Sequence, residues 1–192
     1  MAIGSLATTT STATAATSQE IPITNPAFIQ PRVDPNNLAT YDQNNNAIVG
    51  WRVISGNVDV YGTKLARLGT DFQAVDLNGN KRGGIEQAIP IATLNPAPAA
   101  VVTIGFQARN NDHPNCPKDV EQKFHVQFAD NPGGRVSFNL FTVNEPGPYA
   151  DWQPLEAQIT SPAGVKMLQF VSDNDGYCSG LITKITAVET QS

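Results

Sequence analysis

Two cysteines, Cys116 and Cys178, carry the most informative chemistry in this chain. Both lie in polar, turn-rich segments, whereas structural cysteines that are buried as thiols usually lie in apolar runs. Two loop cysteines in a chain of short strands predict a disulfide, which is typical of proteins exported to an oxidising compartment. Two unrelated free thiols are the alternative. A bridge would close a loop of about 60 residues and stabilise the fold by about 4 kcal/mol in the chain-entropy model.

The sequence contains few of the residue combinations that enzymatic catalysis requires. Glycoside hydrolysis needs two carboxylates across a cleft, and Asp59, Asp76 and Glu86 are the candidates on strands that could be neighbours. No feature of the sequence marks one of them as an acid with a raised pKa. Acyl transfer has only His113 and His125 as bases and no Gly-x-Ser-x-Gly turn around a nucleophile. The chain is therefore predicted not to be an enzyme.

Metal-ligating patterns are equally sparse. No His-x-x-x-His or Cys-x-x-Cys spacing occurs, which argues against zinc. The segment 173–176 (DNDG) offers hard oxygens in a turn, with Asp173 and Asp175 as weak candidates for a structural calcium site. It lacks the distal Glu of a complete calcium loop, so an Asx-rich turn without metal is the favoured interpretation. No cofactor is predicted beyond that calcium alternative.

Composition argues against several classes of partner. The 192 residues carry a formal net charge of −5, and only 15% of them are charged. Lys81 and Arg82 are the only adjacent basic residues, so nucleic acid is not an expected partner. No apolar run approaches the roughly 20 residues of a transmembrane helix, so membrane insertion is not expected. The length suits one domain with a sizeable core.

The organisation of the chain is that of an all-β protein. Residues 1–22 are rich in Ser, Thr and Ala and are predicted to form a flexible leader without the basic and apolar regions of a standard signal peptide. Residues 23–190 are predicted to form one β-sandwich because Pro and Gly punctuate short runs rich in Val, Ile, Phe and Thr. The predicted strands are 25–30, 47–54, 58–61, 72–77, 84–89, 100–109, 123–129, 135–142, 153–160, 164–171 and 181–188.

Two hairpins are expected within this pattern. Asn78-Gly79 between 72–77 and 84–89 is the strongest short hairpin signal, because both residues accept positive φ. Residues 131–134 (NPGG) are expected to turn the chain between two strands that alternate apolar and polar residues. Trp51 follows Gly50 inside an apolar strand and is predicted to lie in the core.

Strand order also predicts where the functional residues lie. If neighbouring strands run antiparallel, the loops 78–83, 110–122, 143–151 and 172–180 share one end of the sandwich. The two cysteines fall in the second and fourth of these loops, in agreement with a disulfide. A sugar-binding site needs an aromatic surface and planar polar groups in a cleft or at a loop end. The candidate ligand residues at this end are Asn111, Asp112, His113, Tyr149, Asp151, Trp152 and Tyr177.

Four segments in order resemble a known family. They are 25–31 (NPAFIQP), 50–60 (GWRVISGNVDV), 73–87 (QAVDLNGNKRGGIEQ) and 175–182 (DGYCSGLI). The family is the plant cell-wall proteins with galactose-binding-like domains, together with bacterial surface proteins called choice-of-anchor C. The likeness covers roughly residues 23 to 189. The chain departs from the family pattern at Ser179-Gly180 and at Thr183.

The resemblance implies a galactose-binding-like jelly roll, secretion, and pairing of Cys116 with Cys178. It also implies binding to polysaccharide rather than catalysis, and sandwiches of this type often hold a structural calcium. The leading hypothesis is an extracellular, non-catalytic module that recognises cell-wall or surface polysaccharide. The alternative hypothesis is a self-assembling structural surface or coat protein, a homo-oligomer without a small ligand.

Overall fold

The structure, a computed structural model, describes residues 16–92, 100–117, 121–140, 151–161 and 164–191. This part of the chain forms twelve strands and no helix. The strands are β1 (Thr17–Ile21), β2 (Leu38–Asp42), β3 (Arg52–Ser55), β4 (Asn57–Tyr61), β5 (Ala74–Asp76), β6 (Gly84–Ile91), β7 (Ala100–Arg109), β8 (Lys123–Phe128), β9 (Asn131–Asn139), β10 (Gln153–Ser161), β11 (Gly164–Ser172) and β12 (Leu181–Gln191). None of the described segments forms a helix of the length and apolarity that a membrane crossing requires.

The strands form two antiparallel sheets packed as a sandwich. The first sheet has the order β10-β7-β12-β5-β4-β2, and β1 pairs with β12 outside that path. The second sheet has the order β3-β6-β11-β8-β9. The last eight strands, β5 to β12, follow the strand order of a jelly roll. When they are renumbered from 1 (β5) to 8 (β12), the first sheet reads 1-8-3-6 and the second sheet reads 2-7-4-5. The predicted fold class is confirmed.

Aromatic side chains join the two sheets in the core. Phe106 on β7 packs edge-on against Phe124 and Phe170 of the opposite sheet, with ring centroids 5.8 and 5.3 Å apart. Trp51 is 2% exposed and packs against Phe170 and Phe28, which confirms its predicted place in the core. Its indole Nε1 donates to the carbonyl of Thr24 at 3.1 Å, which satisfies the one polar atom of the ring.

The predicted start of the domain differs from the structure. Residues 17–21, which the sequence assigned to the leader, form β1 and pair with residues 187–191 of β12. The predicted strand 25–30 is instead a turn, in which Phe28 N donates to Asn25 O at 3.1 Å. The amide of Asn25 also donates to Gln30 O at 2.7 Å, so local side-chain bonding outcompetes strand pairing here. Residues 1–15 lie outside the described residues.

The expected Asn78-Gly79 hairpin is a crossing between sheets. β5 belongs to the first sheet and β6 to the second, and only the bridge between Asn78 and Arg82 remains of the hairpin. Gly83 makes the crossing feasible, since a Cβ there would lie 2.3 Å from the carbonyl oxygen of Asn57. The second hairpin is present, but its turn lies at residues 129–130, and residues 131–134 belong to β9.

Candidate functional site

The described parts of three predicted loops, 78–83, 110–122 and 172–180, meet at one end of the sandwich as the strand order predicted, and residues 143–150 of the fourth lie outside the described residues. Cys116 and Cys178 form a disulfide with Cα atoms 5.6 Å apart, and this joins the loop after β7 to the loop after β11. The side chain of Asn78, after β5, donates to the carbonyl of Gly176 at 2.6 Å. Trp152, just before β10, reaches the same end, where its indole Nε1 donates to Ala66 O at 3.1 Å. The disulfide prediction is confirmed, and the alternative of two free thiols is wrong.

An open pocket of about 170 Å³ lies at this end. One wall is the turn 62–68, which follows β4, and the other is the segment 109–114, which follows β7. The polar lining residues are Tyr61, Lys64, Arg67, Arg109, Asn111, Asp112 and His113. The pocket is smaller than the roughly 300 Å³ or more of sites that hold drug-sized ligands, so it suits a small group.

The turn 62–68 is held by a small apolar cluster of its own. Ala66 and Tyr61 pack with Ala74 and Leu181, separately from the main core. Trp152 is half-buried against this cluster, and the guanidinium carbon of Arg109 lies 5.9 Å from its ring centroid. Trp152 therefore packs against Arg109 and does not line the pocket.

A buried arginine anchors the wall formed by residues 109–114. Arg109 is the last residue of β7 and is 2% exposed. Its Nε donates to Asn110 O at 3.1 Å, and its Nη2 donates to Asp112 Oδ1. The other oxygen of Asp112 pairs with Arg67 at 2.9 Å, so one carboxylate bridges two guanidinium groups. Burial lowers the pKa of Arg109, and the charge of Asp112 opposes that shift.

Asn111 connects the pocket to a fully buried carboxylate. Its Nδ2 donates to Asp76 Oδ2 at 2.7 Å and to the hydroxyl of Tyr61 at 2.9 Å. Asp76 Oδ1 accepts the backbone N–H groups of Asn78 and Ser179, each at 2.8 Å. Burial raises the pKa of Asp76, and these hydrogen bonds oppose the rise. Burial also raises the pKa of Tyr61, so the phenol stays protonated.

The three carboxylates considered for glycoside hydrolysis do not form one group. Asp59 and Asp76 are register partners on β4 and β5. Burial raises the pKa of Asp59, and the hydrogen bond from Thr40 lowers it. Glu86 lies in the other sheet, where Arg52 and the amide of Gln169 engage its carboxylate.

The predicted ligand residues fall into distinct positions. Asn111, Asp112 and His113 line the pocket together, and the His113 ring is edge-on to Tyr61 with centroids 6.1 Å apart. Asp151 is exposed and acts on Arg109 through its charge. Tyr177 is 61% exposed at the same end and does not line the pocket. Tyr149 lies outside the described residues.

The two residues proposed as calcium ligands differ in their surroundings. Asp173 accepts from Arg82 at 3.1 Å, and Nδ1 of His125 lies 3.0 Å from both oxygens of that carboxylate. Asp175 is exposed nearby. Within the described ranges, no three residues of the His, Cys, Asp and Glu types are grouped as a metal site. The calcium alternative stays a prediction, and His125 is a buried hydrogen-bond partner of Asp173.

Sequence reasoning missed Lys64, Arg67 and Arg109 as members of the site. Alternation along β7 places Ala108 in the core and therefore predicts an exposed Arg109. The ring of Trp152 and the segment that follows β7 cover Arg109 instead. The only local signal was the position of Arg109 directly before the polar run 110–113 (NNDH).

No protein-family model and no curated protein sequence matches this chain. Among solved structures, the Stig cyclase FisC from Fischerella sp. TAU, in complex with an indole compound, is 15% identical with a TM-score of 0.54. That alignment covers 92% of this chain and 100% of the cyclase. At this identity, the likeness describes the fold alone.

Several other solved structures with weaker likeness are carbohydrate-binding modules. TmCBM61, solved with beta-1,4-galactotriose, is 17% identical with a TM-score of 0.40, over 85% of this chain and 94% of its own. A family 35 carbohydrate-binding module from Clostridium thermocellum is 12% identical with a TM-score of 0.46, over 79% and 97%. Likeness at this level assigns no function to this chain.

Proposed function

We propose that this chain is a non-catalytic carbohydrate-binding module whose ligand enters the pocket between the turn 62–68 and the segment 109–114. The supporting observation is the convergence of Asn111, Asp112 and His113 with two guanidinium groups in one open pocket. Amide, carboxylate and guanidinium groups are planar donors and acceptors of the kind that bind vicinal sugar hydroxyls. The pocket volume suits one sugar unit at a chain end or side branch.

The rigid support of the pocket is consistent with a binding role. The disulfide, the Asn111–Asp76 hydrogen bond and the Trp152–Ala66 hydrogen bond each tie a pocket segment to another part of the fold. Groups fixed in this way lose little conformational freedom when a ligand binds, which favours affinity from a small contact area. We further propose an extracellular setting, since a disulfide persists in oxidising compartments.

The test is retention on an array of neutral and acidic polysaccharides, followed by calorimetry with the best oligosaccharide. His113→Ala removes a half-buried ring from the pocket and is expected to weaken binding by about tenfold, which is about 1.4 kcal/mol. Tyr177→Ala is the matched control, because it removes an exposed ring from the same end outside the pocket. Its affinity should equal that of the unmodified chain.

Two results would overturn the proposal. One is the absence of retention on every glycan. The other is the reverse pattern, in which Tyr177→Ala loses binding and His113→Ala keeps it, since this would move the ligand from the pocket to the loop 172–180. Thermal unfolding of both variants shows that a loss of binding is not a loss of folding.

A further inference from the structure

We propose that the sugar bound in this pocket carries a carboxylate, so that the module recognises acidic, uronate-type glycans. This inference rests on the proposed function and names the ligand class of the same site. It follows from the charges that line the pocket and from the way the fold holds them.

Basic side chains are concentrated at this pocket in an otherwise acidic chain. The whole sequence has 12 Lys and Arg residues and a net charge of −5. Lys64, Arg67 and Arg109 nevertheless line one small pocket. Among the described residues that line it, Asp112 is the one carboxylate. The lining of the pocket therefore holds three positively charged side chains and one negatively charged one.

The carboxylates around the pocket do not cancel this excess. Asp151 is exposed beside Arg109, so the two walls together with Asp151 still hold three positive side chains against two negative ones. Asp59 and Asp76 lie on β4 and β5, where Asn111 and Tyr61 separate Asp76 from the opening. Both carboxylates are buried, Thr40 donates to Asp59 and the N–H of Asn78 donates to Asp76, and neither lines the pocket.

The geometry around Asp112 shows how the pocket holds a carboxylate. Its two oxygens pair with guanidinium groups from opposite walls, Arg67 on one side and Arg109 on the other. Arg67 adopts a left-handed backbone with φ of 57°, which non-glycine residues rarely adopt. The Asp112 side chain is 48% exposed, so this bridge lies at the open surface of the pocket.

The donors left for a ligand lie on the open side of that bridge. Arg67 is 62% exposed, and Lys64 is exposed beside it on the same turn. A guanidinium presents a planar fork of N–H donors, and an ammonium adds three more, so the two suit a ligand carboxylate better than a neutral hydroxyl. A ligand carboxylate would sit between Lys64 and Arg67, next to Asp112.

The test compares acidic oligosaccharides with their own carboxyl-reduced products, which keep the chain and lose the charge. Suitable probes are trigalacturonate, trimannuronate and a glucuronate-substituted xylo-oligosaccharide, measured by calorimetry at low ionic strength. At least one acidic form should bind about tenfold more tightly than its reduced form. The preference should shrink as salt is raised, because the attraction is screened.

Two variants assign the preference to the pocket. Arg67→Gln should weaken binding of the acidic oligosaccharide by about tenfold and change the affinity for the carboxyl-reduced form by no more than about twofold. Arg32→Gln removes the same charge from an exposed residue that does not line the pocket, and should leave both affinities unchanged. Thermal unfolding of Arg67→Gln checks that the turn is intact.

The possible failures are distinguishable. Equal binding of acidic and reduced forms, or binding of neutral glycans alone, overturns the inference and leaves the proposed function standing. A preference that survives in Arg67→Gln, or disappears in Arg32→Gln, also overturns it, since the charge selectivity then arises outside the pocket. Failure to retain any glycan, neutral or acidic, overturns both proposals together.

Discussion

Asn111 donates from its side chain to Asp76 at 2.7 Å, and through this bond a fully buried carboxylate positions a residue of the pocket. The same carboxylate accepts the backbone N–H of Ser179, the residue after the disulfide-bonded Cys178. It also accepts the N–H of Asn78 in the crossing between the sheets. One side chain thus connects three of the loops that meet at this end.

Asp76 should make the protein more stable in mild acid than at neutral pH. The carboxyl titrates near pH 4 in the unfolded chain, and burial raises its pKa in the folded protein. The folded state therefore binds the proton more tightly, and the free energy of unfolding rises as the pH falls from neutral through the folded pKa. The rise ends near the unfolded pKa. Its slope is at most about 1.4 kcal/mol per pH unit for this group.

Denaturant unfolding between pH 5 and pH 8 measures this slope in the unmodified chain and in Asp76→Asn. The variant should have a shallower slope, because the amide does not ionise. Burial also raises the pKa of Asp59, so the Asp76→Asn variant should keep part of the dependence of unfolding free energy on pH. The carboxyls of Glu121 and Asp130 have lowered pKa values, so their effect on stability begins only below about pH 5, outside this range. An unchanged slope in Asp76→Asn would contradict the prediction.

Breaking the Cys116–Cys178 bridge should destabilise the protein strongly. The cysteines are 62 residues apart, and a closed loop of this length is expected to contribute about 4 kcal/mol by restricting the unfolded chain. Urea unfolding with and without reductant measures the loss. The Cys116→Ser, Cys178→Ser double variant should match the reduced protein and show no response to reductant. The same midpoint for oxidised and reduced protein would be inconsistent with a stabilising bridge.

Gly62 should be essential for the turn that forms one wall of the pocket. A Cβ at this position would lie 1.9 Å from the carbonyl oxygen of Asp34, so even alanine requires the backbone to move. Gly62→Ala is expected to lower the free energy of unfolding by about 3 kcal/mol. Gly133→Ala is the matched control, because a Cβ there has open space around it on β9. Equal melting temperatures for the two variants would refute the steric argument.

Local patterns identified most strands because burial acts on every second residue. Phe124, Val126 and Phe128 alternate with polar neighbours, and β8 lies where that alternation predicts. The same reasoning erred at Asn78-Gly79, where the two flanking strands separate into different sheets. A turn signal reports a reversal of the chain, and the sheet that each strand joins depends on long-range packing.

The sequence by itself determined the all-β class, the loop end that carries the disulfide, and Asn111, Asp112 and His113 as pocket residues. These follow from local composition and from the antiparallel order of strands. Only the tertiary structure decided that Arg109 is buried under Trp152 and that Arg67 reaches Asp112 from another loop. These contacts join residues far apart in the chain or on the outer side of a strand. Local periodicity carries no information about what covers such residues, because their burial depends on packing between segments that are distant in the sequence.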